Sequence, residues 1–151
     1  MTIKDIKLTK DSEGVYDISF TNGDFTLDSG LETSFMMTCY CQKRDDTIED
    51  PRSRGGWAGN QLNQDGFEQG SLAWTLFQAR ADEDTVLLAQ NYLEDAFQWY
   101  LDKGIAKELE VEIKLDNEFM KAEISITRND NTQFVQYYDL WLETVRAADP
   151  Q

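Results

Sequence analysis

An α+β fold is predicted by three features of the chain. Residues 109–115 and 120–126 alternate apolar and polar side chains; a long apolar-faced helix is written between Asp82 and Lys103; and Asn22-Gly23 divides two short apolar runs. Alternation with period two marks a half-buried strand, whereas recurrence every three to four residues marks a helix. The expected architecture is an N-terminal β-hairpin, a helical middle, and a C-terminal three-stranded antiparallel sheet packed against helices.

The hairpin is placed first. Val15, Ile18 and Phe20 form one run and Phe25 and Leu27 the next, with Asn22-Gly23 between them. Asn-Gly supplies the positive φ angles of a tight type I′ turn. Residues 1–13, where Ile3, Ile6 and Leu8 pattern weakly, are expected to form an arm or a short edge strand.

Ser29 followed by Glu32 makes a capping box that starts a helix. Leu31, Phe35, Thr38 and Cys39 then share a face, and Lys43 or Arg44 is the expected end, where cations suit a helix C-terminus. From Asp45 to Gly70 periodicity disappears, and this stretch holds Pro51 and five of the nine glycines. Loops longer than about 12–15 residues are uncommon in compact domains unless they serve function. A short helix is expected from Ser71 to about Arg80. A longer one from Asp82 to Lys103 starts with acids and stops at Gly104. Its apolar face is Val86, Ala89, Leu93, Phe97 and Tyr100, widened by Leu87, Trp99 and Leu101.

Leu109, Val111, Ile113 and Leu115 form the inner side of one strand, and Met120, Ala122, Ile124 and Ile126 that of its partner, with the turn at Asp116-Asn117. A third strand follows Asn129-Asp130-Asn131 and runs from about Gln133 to Leu142. Its inner face is open, since Phe134, Tyr138, Leu140 and Leu142 share one parity while Val135, Tyr137 and Trp141 share the other. Residues 143–151 read as a mobile polar tail. The 151 residues are read as a single domain, because the length suits one core.

Charge narrows function. Fourteen basic residues face 29 acidic ones, for a net charge of −15. Direct nucleic-acid binding needs clustered Lys and Arg, and an anionic membrane would repel such a chain. The acid excess fits solubility, or else a basic partner surface or nucleic-acid mimicry. No apolar run reaches the roughly 18 residues of a membrane span, and the N-terminus lacks the apolar stretch of a secretory signal. The absence of histidine removes Ser-His-Asp and Cys-His catalysis and imidazole metal ligation. Cys39 and Cys41 project about 200° apart on a helix, too divergent to bridge, and are expected to be reduced.

Asp45, Asp46, Glu49 and Asp50 cluster before the Gly-rich run, and Asp65 and Glu68 follow it. A glycosidase would need two such carboxyls facing each other across a cleft. Calcium ligation by Asp45, Asp46 and Asp50 lacks the spacing of a helix-flanked loop. Gly55-Gly56-Trp57-Ala58-Gly59 lacks the Lys-Ser/Thr of a phosphate loop. No cofactor, metal or small-molecule substrate is therefore expected. Arg52, Arg54, Gly55, Gly56, Trp57 and Trp74 are the candidate interaction residues, since Arg and Trp most often carry interface energy. Trp57 has a second reading as a plug folded back on the domain, with Gly55 and Gly56 allowing the approach.

The order of these landmarks resembles a known family. Gly30-Leu31-Glu32-Thr33, Asp45-Asp46, Arg54-Gly55-Gly56-Trp57-Ala58-Gly59-Asn60 and Gly70-Ser71-Leu72-Ala73-Trp74 are followed by Gly104-Ile105-Ala106, Ile126-Thr127-Arg128 and Trp141. Together they look like the small tail baseplate wedge proteins of Mu-like phages and prophages, over roughly residues 14–142. The chain departs from that pattern at Ala58, Asn60 and Ala73, where a second Trp, an Asp and a long side chain are common. The resemblance implies a structural subunit without enzymatic activity, related in role to the lysozyme-like wedge subunits of contractile tails. Its implied partners are other wedge and tail proteins in a symmetric, multi-copy assembly. Its implied location is the virion tail, after synthesis in the bacterial cytoplasm. A tail-associated muralytic glycosidase and an acidic DNA-mimic regulator are the competing functions.

Overall fold

A computed structural model of the chain describes residues 4–13, 15–28, 30–77, 79, 82–116 and 119–140. It is of the α+β class, and its contacts group into two compact units, Met1–Thr38 and Cys39–Gln151.

In the first unit, three extended segments make three short antiparallel ladders. The strands are β1 (Asp5–Ile6), β2 (Leu8–Lys10), β3 (Tyr16–Ile18), β4 (Phe20–Thr21), β5 (Asp24–Phe25) and β6 (Leu27–Asp28). β4 and β5 form the expected hairpin, with Asn22 and Gly23 at φ 54° and 83°. The segment before residue 13, read as an arm or a short edge strand, forms short strands: β1 pairs with β6 and β2 with β3. Each segment changes partner at its middle residue, where Lys7, Ser19 and Thr26 close a ring of backbone hydrogen bonds. Lys7 N donates to Thr26 O at 2.8 Å, Thr26 N to Ser19 O at 2.8 Å, and Ser19 N to Lys7 O at 3.3 Å. The partner exchange satisfies amides that an isolated two-residue ladder would leave open.

Helix α1 (Leu31–Tyr40) buries Leu31, Phe35, Thr38 and Cys39, the face read from spacing. The buried Thr38 hydroxyl donates to Ser34 O at 2.8 Å. The helix stops short of Lys43 and Arg44 because its last carbonyls are taken elsewhere. Ser71 N donates to Cys41 O at 3.0 Å, and Ser71 Oγ donates to Cys39 O at 3.2 Å. Ser29, and with it the capping box, lies outside the described residues.

Helix α2 (Glu83–Asp102) and a three-stranded antiparallel sheet dominate the second unit. Asp82 caps the helix by accepting from Thr85 N at 2.9 Å. At the other end Ile105 N reaches Tyr100 O and Gly104 N reaches Leu101 O, the paired bonds of a Schellman terminus. Ala89, Leu93, Phe97 and Tyr100 are fully buried, and α2 packs on β7. Leu87 was expected to widen this face but is exposed.

The sheet is ordered β7 (Glu108–Asp116), β8 (Phe119–Thr127), β9 (Gln133–Asp139). Val111, Met120, Ala122, Ile124 and Ile126 are buried on its inner side, as alternation requires. The β9 ambiguity is settled by register: Phe134 pairs with Ile126 and Tyr138 with Ala122, leaving Val135 and Tyr137 exposed. That register follows a turn in which Asn131 adopts φ 64° and Asp130 accepts from Thr132 N. The third strand ends at Asp139 and not at the expected Leu142, since Leu140 is already helical; the turn at Asn117, Trp141, Leu142 and the tail 143–151 lie outside the described residues.

The two helix leucines separate packing from composition. Leu93→Ala should destabilise the protein by about 2–5 kcal/mol, whereas Leu87→Ala should change stability by no more than about 0.5 kcal/mol. Urea denaturation of both variants tests this, and equal losses would contradict the assigned helix face.

Candidate functional site: a glycine-rich loop closed on itself

The stretch between α1 and α2 is aperiodic yet folded. Its two ends meet at the residue pair Gln42 and Ser71, a parallel bridge in which Lys43 N donates to Ser71 O at 3.0 Å. Trp74 locks this base: its indole N–H donates to Lys43 O at 2.8 Å. The expected helix from Ser71 to Arg80 is instead a 3₁₀ turn over Ala73–Leu76. The hydroxyl of Ser71 accepts from Ala73 N, and Trp74 is drawn toward Lys43, so the local backbone tightens.

Two glycines are required by what lies opposite them. Gly55 has φ +66°, and a Cβ there would lie 2.6 Å from Trp74 Cζ2. Gly70 has φ +113°, and its Cβ would lie 2.3 Å from the backbone oxygen of Cys41. Both combine the left-handed backbone with a contact that leaves no room for a side chain.

Between these anchors the loop forms two lobes. In the first, Asp45 N donates to Arg54 O at 2.9 Å, and Arg54 Nε donates to Ile48 O at 2.7 Å. Asp50 caps the 3₁₀ turn Pro51–Ser53 through Arg52 N, and Arg44 pairs with Asp46 at 2.7 Å. In the second lobe Asn60 clamps Gln69 from both sides. Its Nδ2 donates to Gln69 O at 2.9 Å, and its Oδ1 accepts from Gln69 N at 2.7 Å. Phe67 then sets its ring edge-on to Trp99 of α2, with centroids 5.2 Å apart.

The six candidate interaction residues are thus divided by role. Arg54, Gly55 and Trp74 brace the loop from within, whereas Arg52 stands exposed beside its capped turn. Gly56, at φ +112°, passes 3.5 Å from Arg44 Cβ by the same measure and links the two lobes. Trp57 is intermediate between its two readings. Its ring lies so close over Gly59 that a Cβ there would collide at 2.3 Å, yet the residue remains 37% exposed. Three residues were missed by sequence reasoning. Asn60 and Phe67 act through partners far along the chain, and Leu62, 81% exposed, carries no periodic signal.

The chemistry available here is limited. Asp45 accepts from both Thr47 N and Thr47 Oγ1, and these bonds hold its carboxyl below the usual range. A general acid needs the opposite shift. Burial pushes the Cys39 and Cys41 thiols upward, away from reactive thiolate. Among the described residues, no group of three His, Cys, Asp or Glu is placed to hold a metal. The cleft lined by Lys43, Gly70, Ser71, Leu72, Tyr92, Asp95 and Ala96 measures about 30 Å³, room for a water and far below a sugar-sized site. No described helix is long and apolar enough to cross a membrane.

Two substitutions test the closure. Gly66, at φ +75°, faces open space, so Gly66→Ala carries only backbone strain of about 1–2 kcal/mol. Gly70→Ala adds a backbone collision and should cost more than about 3 kcal/mol, read by urea denaturation; equal effects would refute the close approach. Asn60→Asp keeps the acceptor for Gln69 N but removes the donor to Gln69 O. A loss of about 1–3 kcal/mol is expected near neutral pH. Urea denaturation of both proteins reads this loss; a variant as stable as the parent would contradict the clamp.

The family model described as Phage protein GP46 matches residues 31–133, from the start of α1 to the first residue of β9. The Mu-like prophage FluMu protein gp46 of Haemophilus influenzae is 33% identical over 110 residues, which cover 72% of this chain and 75% of that protein. The chain is a Mu-like phage protein and belongs to the phage protein GP46 family.

Proposed function

We propose that this phage protein is a structural subunit of a contractile-tail baseplate, a wedge component that works by protein–protein assembly. The observation that carries the reading is the closed loop between α1 and α2. A long aperiodic segment is held in one shape by backbone clamps, and it keeps Arg52, Trp57 and Leu62 toward solvent. Loops on a rigid scaffold are where recognition concentrates. An ordered surface also avoids the entropy of arranging itself at the moment of contact. Membership of a phage family supplies the setting, and the resemblance to baseplate wedge proteins supplies the particular machine.

In this reading the protein joins other wedge and tail proteins in several symmetric copies. It resides in the virion tail after synthesis in the host cytoplasm. Catalysis has no part in it. The muralytic alternative needs a carboxyl kept protonated, whereas among the described residues the shifted carboxyls, Asp45 and Asp130, are held downward by threonine hydrogen bonds. A DNA mimic needs an uninterrupted acidic face, whereas Lys114 and Lys121 interrupt the outer side of the sheet among Glu110, Glu112 and Glu123.

Arg52→Ala combined with Trp57→Ala removes two outward groups without touching the internal braces. The double variant should fail to support particle assembly in complementation, with a melting temperature within about 2 °C of the parent. Normal particles built from it, or purified tails lacking the chain altogether, would sink the proposal.

A further inference from the structure

The chain has a single asparagine–glycine pair, and the fold leaves both residues unengaged. Asn22 and Gly23 form the tip of the β4–β5 hairpin, and both are exposed. Among the described residues, neither the Asn22 side-chain amide nor the Gly23 N–H takes part in a hydrogen bond. A Cβ at residue 23 would meet nothing within 4 Å, so no neighbour crowds the pair. Two such residues can react with each other. Once hydroxide has taken its proton, the Gly23 backbone nitrogen is a nucleophile one peptide unit from Asn22 Cγ. Its attack forms an N–Cγ bond and closes a five-membered succinimide, and the side-chain nitrogen leaves as ammonia. Water then opens the ring. Cleavage of the new N–Cγ bond gives aspartate. Cleavage between that nitrogen and the Asn22 backbone carbonyl carbon gives isoaspartate, whose main chain runs through Cβ and Cγ. Glycine in second place offers no side chain to obstruct the ring.

The turn must open for the nitrogen to reach Cγ, and little opposes that opening. The β4–β5 ladder is two residue pairs long, and Phe20 and Phe25 behind it are 64% and 46% exposed. Few buried contacts mean a low free energy of local opening. Asp65-Gly66, the chain's other pair that closes the same ring, is held differently. Asp65 Oδ1 accepts from Phe67 N at 3.1 Å, and Asn63 Nδ2 donates to Phe67 O at 2.9 Å. The Asn60–Gln69 clamp closes the lobe behind them. We propose that Asn22-Gly23 is a site of self-modification, converting through a succinimide to isoaspartate and aspartate, and that the isoaspartate form unties the hairpin. A two-residue turn with an extra main-chain carbon no longer sets Thr21 opposite Asp24. Phe20 and Phe25, whose ring centroids lie 5.1 Å apart, then lose their register. The proposal is independent of the baseplate reading.

Asp65→Asn supplies the comparison, since it puts an asparagine–glycine pair in both places and equalises the chemistry. The full-length variant is incubated at mildly alkaline pH. Conversion is read as the mass gain of deamidation in tryptic peptides, with isoaspartate separated by its elution. In the folded chain Asn22 should convert at least about tenfold faster than position 65, whereas the two should react at similar rates once urea unfolds it. The purified isoaspartate form of the parent should lose amide-exchange protection across residues 20–25 while β8 keeps its own. Equal conversion at the two positions of the folded variant would overturn the proposal. So would an Asn22 that persists in the folded chain yet converts in urea, since the turn would then protect it. An isoaspartate form that retains the protection of the β4–β5 amides would overturn the untying.

Discussion

The indole of Trp74 sits where distant stretches of backbone converge. Its N–H is bonded to Lys43 O, just beyond the end of α1, and its ring occupies the space that a side chain at residue 55 would fill. Beside it, Ser71 takes the carbonyls of Cys39 and Cys41. A segment of this length without helix or sheet must find partners for its buried amides and carbonyls by other means. Here the side chains of Trp74, Ser71, Asn60 and Arg54 supply them. Remove the convergence at Trp74 and the two ends of the loop lose the bond that fixes their separation.

The consequence for function is one of preorganisation. Fixing a residue's backbone costs about 1–2 kcal/mol in conformational entropy. A recognition loop ordered during folding does not incur that cost again when it meets a neighbour. In the proposed reading, the clamps thus link a folding constraint to assembly. They also explain why the loop can be rich in glycine without being slack: at residues 55 and 70 glycine admits a contact that holds the chain. Phe67 against Trp99 extends the same logic, tying the second lobe to the helix that carries the core.

Much of the regular architecture was legible in the residues. Leu31, Phe35, Thr38 and Cys39 announced the buried face of α1, and the alternation through 109–126 announced β7 and β8 with their inner sides. These signals are local and periodic. What stayed hidden depends on pairs far apart in the chain. Nothing near Tyr40 says that Ser71 will end the helix there, and nothing near Asn60 says that Gln69 will be its partner. Tyr137 and Tyr138 are equally plausible core residues until the register with β8 chooses between them. The partner exchange around Lys7, Ser19 and Thr26 was hidden for the same reason, since each ladder contributes only two or three residues of pattern. The aperiodic stretch between the helices could be picked out because length, glycine and tryptophan are visible in a sequence. Its division into inner braces and outer groups was not, because that depends on which way Arg52 and Arg54 face.

The central claim, that the loop is folded before any partner arrives, is tested most directly by amide hydrogen exchange on the isolated chain. The account predicts slow exchange at the Lys43, Gln69 and Ser71 amides, each of which is an interior donor of the closure. Exchange of these three at the rate of an unstructured peptide, alongside a protected β8, would contradict it.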